Sequence, residues 1–261
     1  MYVECIYDNI VVEIEIEVVA VECVVCIEGY SRNDGMTRWS FPFALLIHTF
    51  FSAYIVAMSC SGRLENQRVL ITGAGRGIGR AIALVCRREG ARVAMVARTR
   101  SELEGTASLA AASGPDEKGG SSMTSVHVVD VTNASQVEDA VDSIVREWGG
   151  IDVLVNNAGG SQTRKAPLWD LSSDDLRGIL DINVVGVHLV SSAVLRRHML
   201  PAGNGRIVNI SSRAGKVGLQ NYSHYCSSKF ALEGLTAALA EEVKDNGIEV
   251  NTVSLVCACL H

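Results

Sequence analysis

From Arg68 onward, apolar and polar positions alternate between two periods along the chain. Short apolar runs bounded by turn residues read as buried strands, and apolar positions spaced by three and four read as helices. This pattern predicts strands at Arg68–Thr72, Arg92–Ala97, Val126–Asp130, Ile151–Val155, Arg206–Ile210 and Ile248–Ser254. Helices are predicted at Ile78–Glu89, at Ser101–Ala112, from Ser135 to Trp148, from Ser172 to about Met199, and at Ser223–Lys244. Ser135 with Glu138, and Ser172 with Asp175, have the spacing of a capping box. A Gly/Ser/Pro-rich loop covers 113–124. Strands that alternate with helices, and are apolar throughout, predict a parallel sheet covered on both faces: α/β, doubly wound, one domain.

Residues 1–57 break this pattern. Ile14 to Val18 alternate as a half-buried strand would, with no evident partner. The stretch 41–60 carries no acid, Lys or Arg and is long enough to cross a bilayer, although Pro42, His48 and several hydroxyls dilute it. Two readings of 1–57 stand side by side: a membrane-anchoring segment, or an extension upstream of a natural start at Met58. The domain proper is placed at 58–261.

Composition narrows the classes of partner. The formal net charge is −6 and no basic run occurs, which excludes the clustered cations of a nucleic-acid binder. Eight cysteines crowd toward both ends without the framework of a small secreted protein, so a cytoplasmic, reducing compartment is expected. Cys23 and Cys26 form a lone C-x-x-C with no second ligand pair at zinc spacing, and no metal site is expected.

The chemistry concentrates at three places. Gly73-Ala74-Gly75-Arg76-Gly77-Ile78-Gly79 follows a strand and opens a helix. Glycines there let backbone amides approach a pyrophosphate at the positive end of the helix dipole. The strand Arg92–Ala97 ends without the acid that would favour a free ribose. Arg98 stands there instead, and with Arg76 it offers two guanidinium forks to a 2′-phosphate. Tyr225 and Lys229 are four residues apart, on one face of a helix. A phenol is mostly protonated at neutral pH, and a neighbouring ammonium favours its phenolate, which makes an acid/base pair.

Taken with Asp130-Val131, Asn156 to Gly159, Asn183 and Ser212 in this order, these motifs resemble the short-chain dehydrogenase/reductase family, and within it the 3-oxoacyl-carrier-protein reductases. The resemblance runs from about Leu64 to Ser254. It implies a Rossmann sheet of order 3-2-1-4-5-6, with NADP (NADPH) preferred over NAD across the carboxyl ends of the strands. It implies Tyr225 as the acid that protonates a carbonyl oxygen, Lys229 on the nicotinamide ribose, Ser212 on the substrate oxygen, and Asn183 holding a water in the relay to Lys229. The cofactor would also meet Gly73, Gly75, Arg76, Gly77, Ile78, Gly79 and Arg98 around its phosphates. Asp130 and Val131 would meet the adenine, and Asn157, Ala158 and Gly159 the ribose. Asn156 would pin strands together.

The implied partners are a small carbonyl or secondary alcohol substrate and a second copy of the chain in a homo-oligomer. Membrane contact through 41–60 is the alternative. The loop Gly160–Trp169, with Gln162, Arg164 and Lys165, would border the substrate. The family's sixth strand runs into Pro-Gly and then a substrate lobe, whereas here Ser254 is followed by Leu255-Val256-Cys257. The expectation is therefore a chain without the last strand and the lobe. A non-catalytic form that binds nucleotide or a partner is the competing reading.

Overall fold

The computed structural model describes residues 62–114, 122–160 and 165–255 in full, and the backbone of 2–7 and 10–15. The candidate span 41–60, most of the loop 113–124, Gln162, Arg164 and the C-x-x-C lie outside the described residues. Near the start, β1 (Tyr2–Tyr7) pairs antiparallel with β2 (Ile10–Glu15), Tyr2 opposite Glu15. For Ile14 and Glu15 of the alternating segment the partner is thus Val3 and Tyr2; its other residues, 16–18, lie outside the described ones. The first residues of the chain too are rich in β-branched and aromatic residues.

The main sheet has six parallel strands: β3 (Arg68–Thr72), β4 (Arg92–Ala97), β5 (Thr124–Val128), β6 (Val153–Asn156), β7 (Gly205–Ser212) and β8 (Ile248–Leu255). Their order in space is β5-β4-β3-β6-β7-β8, which is the doubly wound order 3-2-1-4-5-6. Among the described residues five helices cover it: α1 (Gly77–Arg88), α2 (Arg100–Ser113), α3 (Ala134–Trp148), the continuous helix α4 (Ser173–Ala202) and α5 (Ser223–Val243). One apolar cluster joins Leu70, Ala94, Leu154, Ile207 and Val250 of the sheet to α3, α4 and the end of α5. The other joins Val69, Ile71, Val93 and Met95 to Ile82 and Cys86 of α1 and Leu103 of α2. Adjacent residues of β3 thus serve opposite clusters, because side chains alternate across a strand while both faces are buried.

Local departures from the predicted elements have local causes. The cap of α3 is Asn133, whose side chain accepts from the Gln136 amide, rather than Ser135. An Asn two residues earlier competes successfully because it is as good a cap as Ser. The third strand lies two residues upstream of its predicted place. Its Ser125 and His127 bond each other along the half-buried edge, so polar residues enter the strand. The capping box at Ser172 and Asp175 is formed in both directions.

Helix α4 is interrupted twice by π turns, at Asp181–Val185 and Leu195–Met199. It is the one described helix long and apolar enough to cross a membrane, and half of that window is buried inside the protein. That is the pattern of a core helix.

Candidate active site

The carboxyl ends of β3, β4, β6 and β7 meet where the strand order reverses, the usual place for a ligand in such sheets. The glycine turn sits there under several constraints. Gly73 has φ +67°, and a Cβ on it would lie 2.9 Å from the Ala158 Cα. A Cβ on Gly79 would collide with the Gly73 carbonyl oxygen. Gly77, with φ +55°, has nothing within 4 Å of such a Cβ, so the amide end of α1 is open. A close-packed floor under an open helix N-terminus fits a dinucleotide pyrophosphate.

Residues outside the turn hold it in shape. The Gly75 carbonyl accepts from Arg80 Nη2 (2.6 Å), Arg80 Nε (3.1 Å) and Thr106 Oγ1 (3.1 Å). The Thr72 hydroxyl accepts the amides of Asn157 (3.0 Å) and Ala158 (2.9 Å). Asn157 returns its side-chain amide to the Thr72 and Gly73 carbonyls. The turn and the loop after β6 therefore form one rigid piece. Asn157 spends its amide on this joint, and Gly159 lies exposed beyond it.

Arg76 and Arg98 are both exposed. The Arg98 charge, behind the hydrogen bonds from the Thr132 amide and hydroxyl, helps hold the Asp130 carboxyl below the usual carboxylate range. Val131 is buried against Gly186 of α4. Sequence reasoning passed over Glu102, whose side chain lies 3.0 Å from where a Gly75 Cβ would be. It therefore sets a carboxylate against the glycine turn at Gly75.

At the other end of the cleft, Tyr225 and Lys229 share one face of α5, with Lys229 Nζ 5.9 Å from the Tyr225 ring centroid. Lys229 is 6% exposed, and its Nζ donates to the Ile210 carbonyl at 2.8 Å. Burial pushes its pKa down to about 8, against the opposing charge of Glu233. Ser212 ends β7 two residues beyond Ile210, half-buried, with its Oγ accepting the Ala214 amide at 3.2 Å.

Asn183 lies within the first π turn, the helical irregularity most often found at functional sites. Its side-chain Nδ2 donates to Ser228 Oγ (2.9 Å), and its Oδ1 accepts the Gly160 amide (3.2 Å). Ser228 in turn donates to the Tyr225 carbonyl. Asn183 thus ties α4, the loop after β6 and the turn of α5 that carries Tyr225 together. Asn156 bonds Asn209 of β7 and Ser191 of α4.

Asp152 takes a two-pronged ion pair from Arg68, near His198. His224 is buried, while Trp169 is 85% exposed and packs little. Lys165 lies over the Tyr222 ring at 5.2 Å. Among the described residues no cluster of His, Cys, Asp or Glu is arranged to hold a metal ion.

A doubly wound sheet with a glycine turn after its first strand, and a Tyr–Lys pair one helical turn apart beside a Ser, defines a nicotinamide-dependent oxidoreductase of the short-chain type. The family model for short chain dehydrogenase matches residues 67–258. The chain is 41% identical over 192 residues to D-threitol dehydrogenase of Mycolicibacterium smegmatis, covering 74% of this chain and 70% of that one. It is 35% identical over 191 residues to a 3-oxoacyl-[acyl-carrier-protein] reductase of Vibrio cholerae, covering 73% of each. The solved structure of NAD+-bound xylitol dehydrogenase superposes with TM-score 0.69 at 38% identity, covering 74% of this chain and 71% of that one. The chain belongs to the short-chain dehydrogenase/reductase family and is an NAD(P)-dependent oxidoreductase.

Proposed function

We propose that the chain moves a hydride between NADP and a carbonyl or secondary alcohol, with Tyr225 as the acid/base. The observation that carries this is the buried Lys229, held on the Ile210 carbonyl beside Ser212 and one turn from Tyr225. The nicotinamide, when bound, supplies or accepts the hydride. In reduction the Tyr225 phenol gives its proton to the carbonyl oxygen, and in oxidation the phenolate takes it back. Lys229 favours the phenolate by its charge and would also meet the nicotinamide ribose. Ser212 hydrogen-bonds the substrate oxygen, and Asn183 keeps the water that refills the proton.

Gly73, Gly75, Gly77, Ile78 and Gly79 would hold the cofactor's phosphates. Asp130 and Val131 take the adenine, and Asn157, Ala158 and Gly159 take the ribose. Arg76, exposed in the glycine turn, and Arg98, exposed just after β4, support the 2′-phosphate; Glu102 is the feature that pulls toward NAD. Residues 58–261 act as the catalytic domain, with 1–57 as an appended segment, and the working form is a homo-oligomer. Its place is the cytoplasm: Cys86 and Cys226 are free and buried, as expected in a reducing compartment.

The test is NADPH oxidation against a panel of ketones and aldehydes, with Tyr225→Phe in parallel. The variant keeps the ring and loses the proton. Turnover should fall by about 10²- to 10⁴-fold while nucleotide affinity holds. Equal turnover in the two proteins refutes the assignment.

A further inference from the structure

Glu233 lies one turn beyond Lys229 on α5, and its side chain is 16% exposed. A carboxylate held this far from water is tolerated only when its oxygens are bonded. Here four side chains supply that. Oε1 accepts the Ser211 hydroxyl (2.5 Å) and the Ser254 hydroxyl (3.2 Å); Oε2 accepts Lys216 Nζ (2.8 Å) and the Thr252 hydroxyl (3.0 Å).

The pattern along the two strands matches this. On the face toward α5, β7 presents Ile207, then Asn209 bonded to Thr236, then Ser211. On the same face β8 presents Ile248 and Val250, then Thr252 and Ser254. Both strands change from apolar to hydroxyl where they reach Glu233. The turn after β7 closes directly on the joint: a Cβ on Gly215 would lie 3.1 Å from Glu233 Cγ, from Ser211 Oγ and from the Lys229 carbonyl.

The bonded residue of β7 has the catalytic groups on either side. Ser211 is flanked by Ile210, whose carbonyl receives Lys229, and by Ser212. Alternation sends Ser211 toward α5 and Ser212 toward the cleft. Fixing Ser211 therefore fixes the peptide that carries both.

We propose that Glu233 is a positioning residue of the proton-transfer site, clamping the carboxyl ends of β7 and β8 to α5 one helical turn from Lys229. This rests on the function proposed above for Tyr225 and Lys229. Among the described residues, the charged groups interacting with this carboxylate are Lys216 from the turn after β7 and Lys229 from α5 itself; β7 and β8 offer it hydroxyls. The two cations compete for one negative charge. Burial works against the Lys229 ammonium and Glu233 works for it.

The experiment is the pH titration of the Lys229 ammonium in the full chain labelled with [15Nζ]lysine, the resonance assigned by its loss in Lys229→Arg. Glu233→Gln should lower the Lys229 midpoint by about one pH unit. Lys216→Met removes the competing, largely exposed cation and should raise it. Because Lys216 is 56% exposed, that variant reports even if Glu233→Gln does not fold. In protein that turns over, Glu233→Gln should also lower kcat more than it changes KM. A Lys229 midpoint unmoved in Glu233→Gln, with only thermal stability lost, makes Glu233 a structural residue and overturns the proposal, as does a midpoint unmoved or lowered by Lys216→Met. The titration needs no turnover. Shifts of the stated signs in a chain that reduces nothing would leave the clamp standing and remove the proposed reaction; turnover with unmoved midpoints would do the reverse.

Discussion

Thr72 shows how much of the cofactor cleft rests on single hydroxyls. Its Oγ1 accepts two amides of the loop after β6, and through them couples the glycine turn to the residues that would line the ribose. Thr72→Val keeps the shape but leaves those amides without an acceptor in a part-buried place. We expect a loss of about 1–3 kcal/mol in thermal or urea unfolding, accompanied by weaker nucleotide binding; a variant as stable as the parent would show that the amides find water. At this scale the motif residues were legible in the sequence, because Tyr225 with Lys229, and Gly73 to Gly79, are local patterns. Thr72, Arg80, Thr106 and Glu233 were not. They act on partners far along the chain, such as Asn157 from Thr72 or Thr252 from Glu233. Only the fold brings these together, and their residue types alone are ordinary.

At the scale of elements, periodicity located the six strands and the five longer helices described for the sheet domain, while ends moved by a few residues and the short 3-10 turns went unpredicted. Helix ends fray and caps compete, so boundaries are the weakest inference from sequence. The two capping boxes illustrate this. Ser172 and Asp175 bond reciprocally at the start of α4, whereas the expected pair at Ser135 yields to Asn133. Ser172→Ala should therefore cost about 1 kcal/mol, read as a lower unfolding midpoint, and Ser135→Ala should cost much less. Equal losses would contradict this assignment of the caps. The π turns in α4 had no sequence signal. An inserted residue in a helix leaves the hydrophobic period almost intact, yet it shapes the turn that carries Asn183.

For the whole molecule, strand order was legible through the family resemblance, since no pattern of residues by itself says which strands are neighbours. One long-range contact at the opposite, amino end of the sheet holds β3 to the start of β6. Arg68 on β3 donates from its backbone amide and its guanidinium to Asp152. Burial alone would raise the Asp152 pKa, but the hydrogen bonds and charge of Arg68 more than offset it and hold the carboxyl low. A group whose pKa is lower folded than unfolded adds stability above its unfolded value, and that stability is lost as pH falls through the folded one. Between about pH 5 and pH 2, the urea midpoint of the wild type should fall more steeply than that of Asp152→Asn. Parallel curves would mean the pair contributes nothing to acid stability.

The central claim is that this sheet binds NADP across its carboxyl ends, with Arg76 and Arg98 meeting the 2′-phosphate. Thermal unfolding of the purified chain alone, with NADPH and with NADH tests it most directly. At a hundred times its dissociation constant a ligand adds about 2.7 kcal/mol. The account predicts one cooperative transition, raised by NADPH and raised less by NADH at equal concentration. A larger shift with NADH would contradict the reading of the two arginines, and no shift with either nucleotide would contradict the site itself.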